Sequence, residues 1–417
     1  MENILIVGGG FGGVKTALEL SRKLSSKKAN ITLIDRNNYH LFLPSLYELA
    51  SAYIVKTDPY QLKLRKTVSI PYEDIFKDTG VKVVQAQVEK IDLAKKEVIT
   101  GGDAVFSYDH LVLGFGVETD TFGIPGAMEY TYKFKGIDEA LFLNQRMLEL
   151  YKKAANGRHS LPIKFIVAGA GFNGIELAGE LAGCAENIKN ACGLHHGCID
   201  IQLIEAGPQI LPMINDKERQ IIRRRLEKIG IKILESSPIK EVGPNFVKIG
   251  EGGEKIFTDF IVWTGGVRAS SFLQNITGLK LDAKGKVVVN PSLQAEGREE
   301  VWALGDNTVF LDPATQKPIP GLASVAIDQG AVIAENIKRI VLGEKKLETY
   351  HPEYGIWVAP VGGKFAVAHL NKSLTISGVP GWIIRQLVNL KYFLGILPVS
   401  RALSLMAEET EIFIKND

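Results

Sequence analysis

The run Asn3-Ile4-Leu5-Ile6-Val7 passes straight into Gly8-Gly9-Gly10-Phe11-Gly12-Gly13, and Val14-Lys15-Thr16-Ala17-Leu18-Glu19-Leu20 then reads as helix. Four consecutive apolar β-formers predict a buried strand, and Gly8, Gly10 and Gly13 fit the spacing G-x-G-x-x-G. In that spacing one glycine makes the tight turn, one lets the backbone approach a pyrophosphate, and one lets helix pack on strand. The start of the helix offers free N–H groups and the positive end of a dipole to a phosphate. Glycine-rich strand-to-helix turns also occur without a ligand, so context decides. Here Ile31-Thr32-Leu33-Ile34 predicts a second strand ending in Asp35, 22 residues past Gly13, where a ribose-binding carboxylate belongs. The stretch reads as the opening βαβ unit of a dinucleotide-binding domain.

The pattern recurs. Ile163-Lys164-Phe165-Ile166-Val167 predicts a strand, and Gly169, Gly171 and Gly174 repeat the fingerprint within Ala168-Gly169-Ala170-Gly171-Phe172-Asn173-Gly174-Ile175-Glu176. The next strand, Ile199-Asp200-Ile201-Gln202-Leu203-Ile204, ends in Glu205, 31 residues beyond Gly174; the extra length falls in an insertion, Gly183 to Gly197. An acid at that position accepts hydrogen bonds from a ribose 2′-OH and repels a 2′-phosphate, which favours NADH over NADPH. Two fingerprints about 160 residues apart imply two nucleotides. The economical arrangement is a flavin in the first site and a nicotinamide cofactor in the second, with hydride passing between stacked rings.

Composition narrows the class. A chain of 417 residues exceeds one compact core, so two or three domains are expected. With 49 basic residues nearly matched by 47 acidic ones, broad nucleic-acid affinity is not expected. Three cysteines, an odd number, argue against a disulfide framework and for a reducing compartment. Met1-Glu2-Asn3 leads directly into the first strand, so no signal peptide is expected, and no apolar run reaches the length of a membrane span.

Between the fingerprints, Arg36 to Ala50 is aromatic-rich and polar by turns, either a loop packed on the core or a wall over a flat ring ligand. Ser107 to Gly116 predicts another buried strand ending in glycines, Gly123-Ile124-Pro125-Gly126 a domain crossing, and Asp138 to Ala155 a helix. Ile261-Val262-Trp263-Thr264-Gly265-Gly266-Val267 predicts the return crossing. Val301-Trp302-Ala303-Leu304-Gly305-Asp306 places a carboxylate after a buried strand, suited to a polyol or to capping the next element. A helix is predicted from about Gly321 to Val341, its first turn able to offer amides to a ligand. The charged helix Lys217 to Lys228, with Arg223-Arg224-Arg225, reads as a solvated face. Cys184, Cys192 and Cys198, with His195 and His196 between the last two, lack a C-x-x-C pair and read as packing or loop residues, with no metal. From Gly378 the chain is apolar, carries Trp382 and Tyr392, and between Thr375 and Ala407 bears only Arg385, Lys391 and Arg401. Basic amphipathic helices of this kind suit the headgroup plane of a membrane, or packing on a partner or on the body.

Taken together, the opening glycines, Asp35-Arg36-Asn37-Asn38-Tyr39-His40-Leu41-Phe42, Phe122-Gly123-Ile124-Pro125-Gly126, Gly169 to Glu180, Trp263-Thr264-Gly265-Gly266-Val267, Ala303-Leu304-Gly305-Asp306 and the tail give a resemblance over nearly the whole chain. The chain resembles the flavoproteins with two dinucleotide-binding domains, and within them the type II NADH dehydrogenases, single-subunit NADH:quinone oxidoreductases. The resemblance implies an α/β fold with two Rossmann-like, glutathione-reductase-like domains and a C-terminal membrane-binding tail. It implies an FAD domain over 1–115 and 290–345, an NADH domain over 116–289, and a membrane-associating region over 346–417. FAD is expected on Gly8, Gly10, Phe11, Gly12, Gly13, Asp35, Arg36, Val88, Gly116, Gly305, Asp306, Ser324 and Val325. NADH is expected on Gly169, Gly171, Phe172, Asn173, Gly174, Glu205 and Gly265, with Glu176 near the nicotinamide–flavin stack as catalytic residue. As a plain first-turn acid, Glu176 would only favour the helix dipole. Implied partners are a membrane quinone and the cytoplasmic membrane surface, in a peripheral homodimer.

Three departures touch the acceptor side. Family members carry Ala-Gln with a further Gln four residues on, where this chain has Ala323-Ser324 and Asp328, with Gln329 adjacent. Leu43 stands where Gln often precedes proline, and Gly355 to Lys364 replaces a tyrosine-bearing strand. Alternatives are a sulfide:quinone oxidoreductase, which needs a late cysteine that is absent after Cys198, a reductase with a non-quinone acceptor, and a flavin-bearing binding protein.

Overall fold

The apolar strands sort into two parallel sheets. The structure, a computed structural model, describes residues 1–51, 65–192, 197–353, 355–371 and 374–416. In the first sheet β1 (Glu2–Val7) lies between β2 (Ala29–Asp35) and β4 (His110–Leu113), and β3 (Lys82–Gln85) forms the edge beyond β2. The second sheet is built from β5 (Tyr132–Lys133), β6 (Ile163–Ala168), β7 (Ile199–Ile204), β8 (Ile231–Leu234) and β9 (Phe260–Trp263), in the order β5-β9-β6-β7-β8. From far along the chain, β10 (Val301–Ala303) returns to pair with β4 in the first sheet. All these pairings are parallel. Strands buried on both faces explain the near-continuous runs of Ile, Leu and Val.

Register fixes where ligands can sit. Val7 pairs with both Ile34 and Leu113, so Gly8, Asp35 and Gly114 leave the first sheet at one edge. Ala168 pairs with Ile204 and Trp263, so Gly169, Glu205 and Thr264 do the same in the second. Carboxyl edges of parallel strands are where open α/β sheets bind ligands.

Each glycine turn feeds a helix: α1 (Phe11–Lys23) after β1 and α2 (Phe172–Cys192) after β6. The second helix runs through most of the stretch taken from sequence as an insertion, so Cys184 and Cys192 lie on a helix; His195 and His196 fall outside the described residues. Ala185-Glu186-Asn187-Ile188-Lys189-Asn190-Ala191 holds no helix breaker, which explains the continuation. Two further helices follow, α3 (Asp216–Lys228) and α4 (Ala323–Val341). Helix α4 packs tightly on α1, because a Cβ added at Gly330 would lie 2.6 Å from the Gly12 carbonyl oxygen. Thr16 donates its hydroxyl to the Gly12 carbonyl at 2.8 Å in the same contact.

Beyond α4, three antiparallel strands, Trp357–Pro360, Ala366–Asn371 and Leu374–Gly378, carry the chain to α5 (Val379–Ile396) and α6 (Val399–Asn416). Pro380 sits in the first turn of α5, where its missing N–H is harmless, and Leu397-Pro398 ends it. This module packs on both halves. Phe393, Ile396, Ala402 and Leu405 join the core around the first sheet, while Val361 and Val367 join the core around the second.

Candidate active site

In the first cradle the three fingerprint glycines do three different jobs. Gly8 has φ +99°, and a Cβ there would lie 2.2 Å from the Gly114 carbonyl oxygen. A Cβ at Gly13 would lie 1.9 Å from the Gly8 carbonyl oxygen, so helix and turn touch backbone to backbone. Gly10 faces nothing within 4 Å. That open side is the approach a pyrophosphate needs. Gly12 packs under Leu304, while Phe11 starts the helix and meets His40 edge-on at 4.9 Å.

Gly9 is gripped at both its N–H and its carbonyl. Its N–H donates to the Asp35 carboxylate at 2.6 Å, and Asn37 N–H donates to the other oxygen at 2.8 Å. Its carbonyl accepts the Tyr72 hydroxyl at 3.0 Å and the His40 Nδ1–H at 3.0 Å. Burial raises the Asp35 carboxyl above its ordinary value, against the pull of the two N–H donors. Arg36 is exposed beside it, and Val88 is buried at the start of the strand that follows β3.

The far wall comes from late in the chain. Asn307 is fully buried, accepts the Gly116 N–H at 3.2 Å and donates to the Leu113 carbonyl at 3.2 Å. Gly305 N–H donates to Gln329 Oε1 at 2.6 Å. Asp306 lies between these anchors on the turn after β10, with Gly321 against its carboxylate. Ser324 is exposed and Val325 buried in the first turn of α4. Gly116, Gly305 and Asp306 are thereby brought to the same sheet edge as Gly8 and Asp35. Tyr72 and Asn307, neither singled out from sequence, and Gln329, named there only as adjacent to Asp328, hold that edge together.

The second cradle repeats the geometry. Gly169 has φ +102° and abuts Gly265, where a Cβ on Gly169 would lie 2.3 Å from the Gly265 Cα. A Cβ at Gly174 would lie 1.9 Å from the Gly169 carbonyl oxygen, and Gly171 again faces nothing within 4 Å. The Glu205 carboxylate accepts N–H groups from Ala170 and Gly207, both at 2.8 Å. Asn173 is exposed, and Phe172 lies 5.4 Å from Trp357 in the C-terminal module. Both cradles therefore fit a dinucleotide: a bare backbone patch at a helix start, with an acid at the end of the neighbouring strand.

Glu176 stands on α2 facing the C-terminal module. Its side chain keeps some solvent contact while protein encloses the carboxyl, and burial pushes the carboxyl up to about 7 against the charge of Arg385. Arg385 itself is buried on α5, donates to the Pro44 carbonyl at 2.6 Å and bonds Asn389. Asn389 also donates to Glu409 of α6 at 3.1 Å, and Ser45 donates its hydroxyl to the same carboxylate. The segment Leu43–Ser45 is thus a wall tied to both C-terminal helices.

Two expectations about charge change. The basic tail is not basic at its surface: Arg385 turns inward and Arg401 pairs with Asp74 at 2.9 Å, leaving Lys391 exposed. Nor is α3 only a solvated face. Arg225 donates to the Val361 and Gly362 carbonyls at 3.2 and 2.7 Å and lies over Phe365, and Arg219 is buried against the Ile210 and Ile214 carbonyls. Of the departures on the acceptor side, Leu43, Ser324 and Asp328 are all exposed. Burial of its carboxyl raises Asp328, as does the nearby charge of Glu353, against Lys15 and Lys391. Cys198 is buried, and among the described residues no group of three His, Cys, Asp or Glu could hold a metal ion.

Comparison with known proteins gives the family. Residues 2–330 match the family model described as pyridine nucleotide-disulphide oxidoreductase. The chain belongs to that family. Within it, a type II NADH:quinone oxidoreductase of Staphylococcus haemolyticus is 29% identical over 359 residues, 85% of this chain and 86% of that protein. Among solved structures, NDH2 from Plasmodium falciparum in complex with NADH covers 99% of this chain and 98% of its own, with TM-score 0.82 at 19% identity. A sulfide:quinone oxidoreductase from Aquifex aeolicus covers 94% of this chain and 91% of its own, with TM-score 0.77 at 18% identity. The family model ends at residue 330, while the fold shared with NDH2 covers 99% of the chain and so takes in the C-terminal helices.

Proposed function

We propose that the chain is a type II NADH:quinone oxidoreductase, with FAD resident in the first cradle and NADH exchanging at the second. The observation that carries this reading is the pair of matched cradles with Glu176 and Arg385 at their junction. Flavin supplies the two-electron chemistry when bound, taking reducing equivalents from NADH and releasing them to a quinone. The chain supplies position and charge. Gly8, Gly10 and Gly13 admit the FAD pyrophosphate, Asp35 takes its ribose, and Gly116, Gly305, Asp306, Ser324 and Val325 line the flavin end. Gly169, Gly171 and Gly174 admit the NADH pyrophosphate, and Glu205 selects the unphosphorylated ribose. Glu176, held near neutrality in its ionisation, keeps or gives up a proton beside the reacting rings. In this reading the FAD domain comprises 1–115 and 290–345, the NADH domain 116–289 and the membrane-associating region 346–417.

No helix among the described residues is long and apolar enough to cross a membrane. Helix α5 instead exposes Ile383, Leu387 and Leu394 along one stripe, and α6 exposes Val399 and Leu403. That face supports peripheral docking on the cytoplasmic membrane surface, by apolar insertion more than by basic charge. Homodimeric assembly belongs to the same reading. The test is anaerobic mixing of the flavin-loaded protein with NADH, followed by a panel of quinones, sulfide and ferricyanide. Bleaching by NADH and reoxidation by quinone are expected; no bleaching within minutes would overturn the dehydrogenase reading.

A further inference from the structure

We propose that Tyr392, on the C-terminal helix α5, is a flavin-positioning residue: its hydroxyl satisfies His40 Nε2 and so keeps the buried ring seated with Nδ1–H holding the Gly9 carbonyl inward, away from the open side of the first cradle. The inference rests on Gly8 to Gly13 being the FAD site.

The argument begins with donors and acceptors. His40 is completely buried, and each ring nitrogen has one polar neighbour: the Gly9 carbonyl at 3.0 Å from Nδ1 and the Tyr392 hydroxyl at 2.8 Å from Nε2. A carbonyl only accepts, so Nδ1 carries the proton. In the neutral ring Nε2 is then a bare acceptor and the Tyr392 hydroxyl must donate to it. Without that hydroxyl the ring keeps a buried acceptor unpaired, a penalty it escapes only by turning or shifting off the Gly9 carbonyl.

The Gly9 peptide is the pivotal one in the cradle. It links Gly8, which makes the turn, to Gly10, which faces open space. With the Gly9 N–H on Asp35 and the Gly9 carbonyl on His40 and Tyr72, the peptide units on both sides of Gly9 are fixed. A carbonyl released from the interior would be free to turn its negative end toward a pyrophosphate. His40 and Tyr72 reach Gly9 because Tyr39–Leu41 pairs with Ser69–Pro71, His40 opposite Ile70.

Tyr392 cannot drift. Its ring stacks on Phe42 at 5.5 Å and 16°, meets Phe11 at 5.1 Å, and is followed by Phe393, which packs on Phe42 at 4.9 Å. Phe11 is itself the first residue of α1. A helix outside both nucleotide-binding sheets therefore completes the flavin cradle, and retention of FAD depends on that helix being docked. The ring of His40 stays neutral there, burial pushing it down to about 4.

The test measures FAD affinity of the full-length apoprotein by quenching of flavin fluorescence, together with the imidazole ¹⁵N shifts of His40. Tyr392→Phe keeps the ring and removes the hydroxyl, so FAD affinity should fall about tenfold, the His40 Nε2 shift should move, and the apoprotein melting temperature should drop only by the few degrees that one unpaired buried acceptor costs. Ile396→Val loosens the packing of the same helix but keeps the hydroxyl and the Phe11 and Phe42 contacts of Tyr392, and should retain the Nδ1–H tautomer and near-native affinity. Equal loss in both variants, unchanged affinity in Tyr392→Phe, or an Nε2–H tautomer in the native protein would each overturn the inference. If the native protein itself fails to bind FAD, the assignment of the first cradle fails instead.

Discussion

The two glycine cradles share one design and differ in what stands behind it. In both, the middle residue of the turn donates its N–H to the strand-end acid, from Gly9 to Asp35 and from Ala170 to Glu205. Behind Gly9 stand the buried Tyr72 and His40 and the partly buried Tyr392, whereas behind Ala170, among the described residues, the Leu211 N–H reaches the carbonyl, at 3.1 Å. Gly12 is pressed under Leu304 and α4, while its counterpart Asn173 is exposed. A resident cofactor needs a cradle that does not open, and a cosubstrate needs one that does. The supporting residues, more than the fingerprint, distinguish those uses.

The largest effect should come from adding one methyl group to each cradle in turn. A Cβ at Gly13 or at Gly174 would lie 1.9 Å from a carbonyl oxygen, and the helix must shift to admit it. Such overpacking costs roughly 1–3 kcal/mol. Gly13→Ala should therefore purify without flavin, whereas Gly174→Ala should keep its flavin and lose NADH binding. Loss of flavin from both variants, read from the absorbance of the purified proteins, would erase the proposed division of labour.

Acid should separate the cradles next. The folded pKa of His40, about 4, lies below its ordinary 6.5, so folding favours the neutral ring. Above pH 6.5 both states are neutral and the contribution is complete. As pH falls from 6.5 to 4 the unfolded chain takes a proton that the folded chain refuses, removing up to about 3 kcal/mol. The groups facing the ring are the Gly9 carbonyl and the Tyr392 hydroxyl, neither of which titrates in that window. FAD affinity and melting temperature should both fall there, and His40→Asn should flatten the FAD-release profile.

How far sequence carried this structure follows from the range of each interaction. The glycine turns and strand-end acids lie within one βαβ unit, so their order and spacing were readable, and the two-sheet fold with them. His40 and Tyr392 are 352 residues apart, and Arg401 meets Asp74 across 327. Nothing local distinguishes a tail arginine that faces lipid from one that turns inward to a carbonyl or carboxylate. Asn307 and Gln329 sit beside Asp306 and Asp328, which did attract attention. A run of polar residues shows that something polar is needed there, but which side chain points inward depends on the helix phase set by packing.

A smaller effect concerns nucleotide choice. Glu205→Ala removes the acceptor of two loop N–H groups and the charge that opposes a 2′-phosphate. NADH affinity should fall, and the preference for NADH over NADPH should shrink by about tenfold to a hundredfold. Flavin content should not change, because Asp35 serves the other cradle. An unaltered preference would show that Glu205 serves only the loop.

The subtlest separation lies at the junction. Burial holds the Glu176 carboxyl near 7, and the Arg385 cation works against that burial by favouring the ionised form. A raised carboxyl is protonated below its folded value and ionised above it, so the rate of flavin bleaching by NADH should inflect near pH 7. Glu176→Gln should remove the inflection. Arg385→Gln takes away the cation and should move the inflection to higher pH, whereas Arg385→Lys should leave it in place. Stopped-flow traces across pH 5.5 to 9 decide the matter. A shift to lower pH in Arg385→Gln would mean that another cation governs Glu176. With that sign Arg385 could not be the link through which the C-terminal helix acts on both cradles, and Tyr392 would remain its single route to the flavin side.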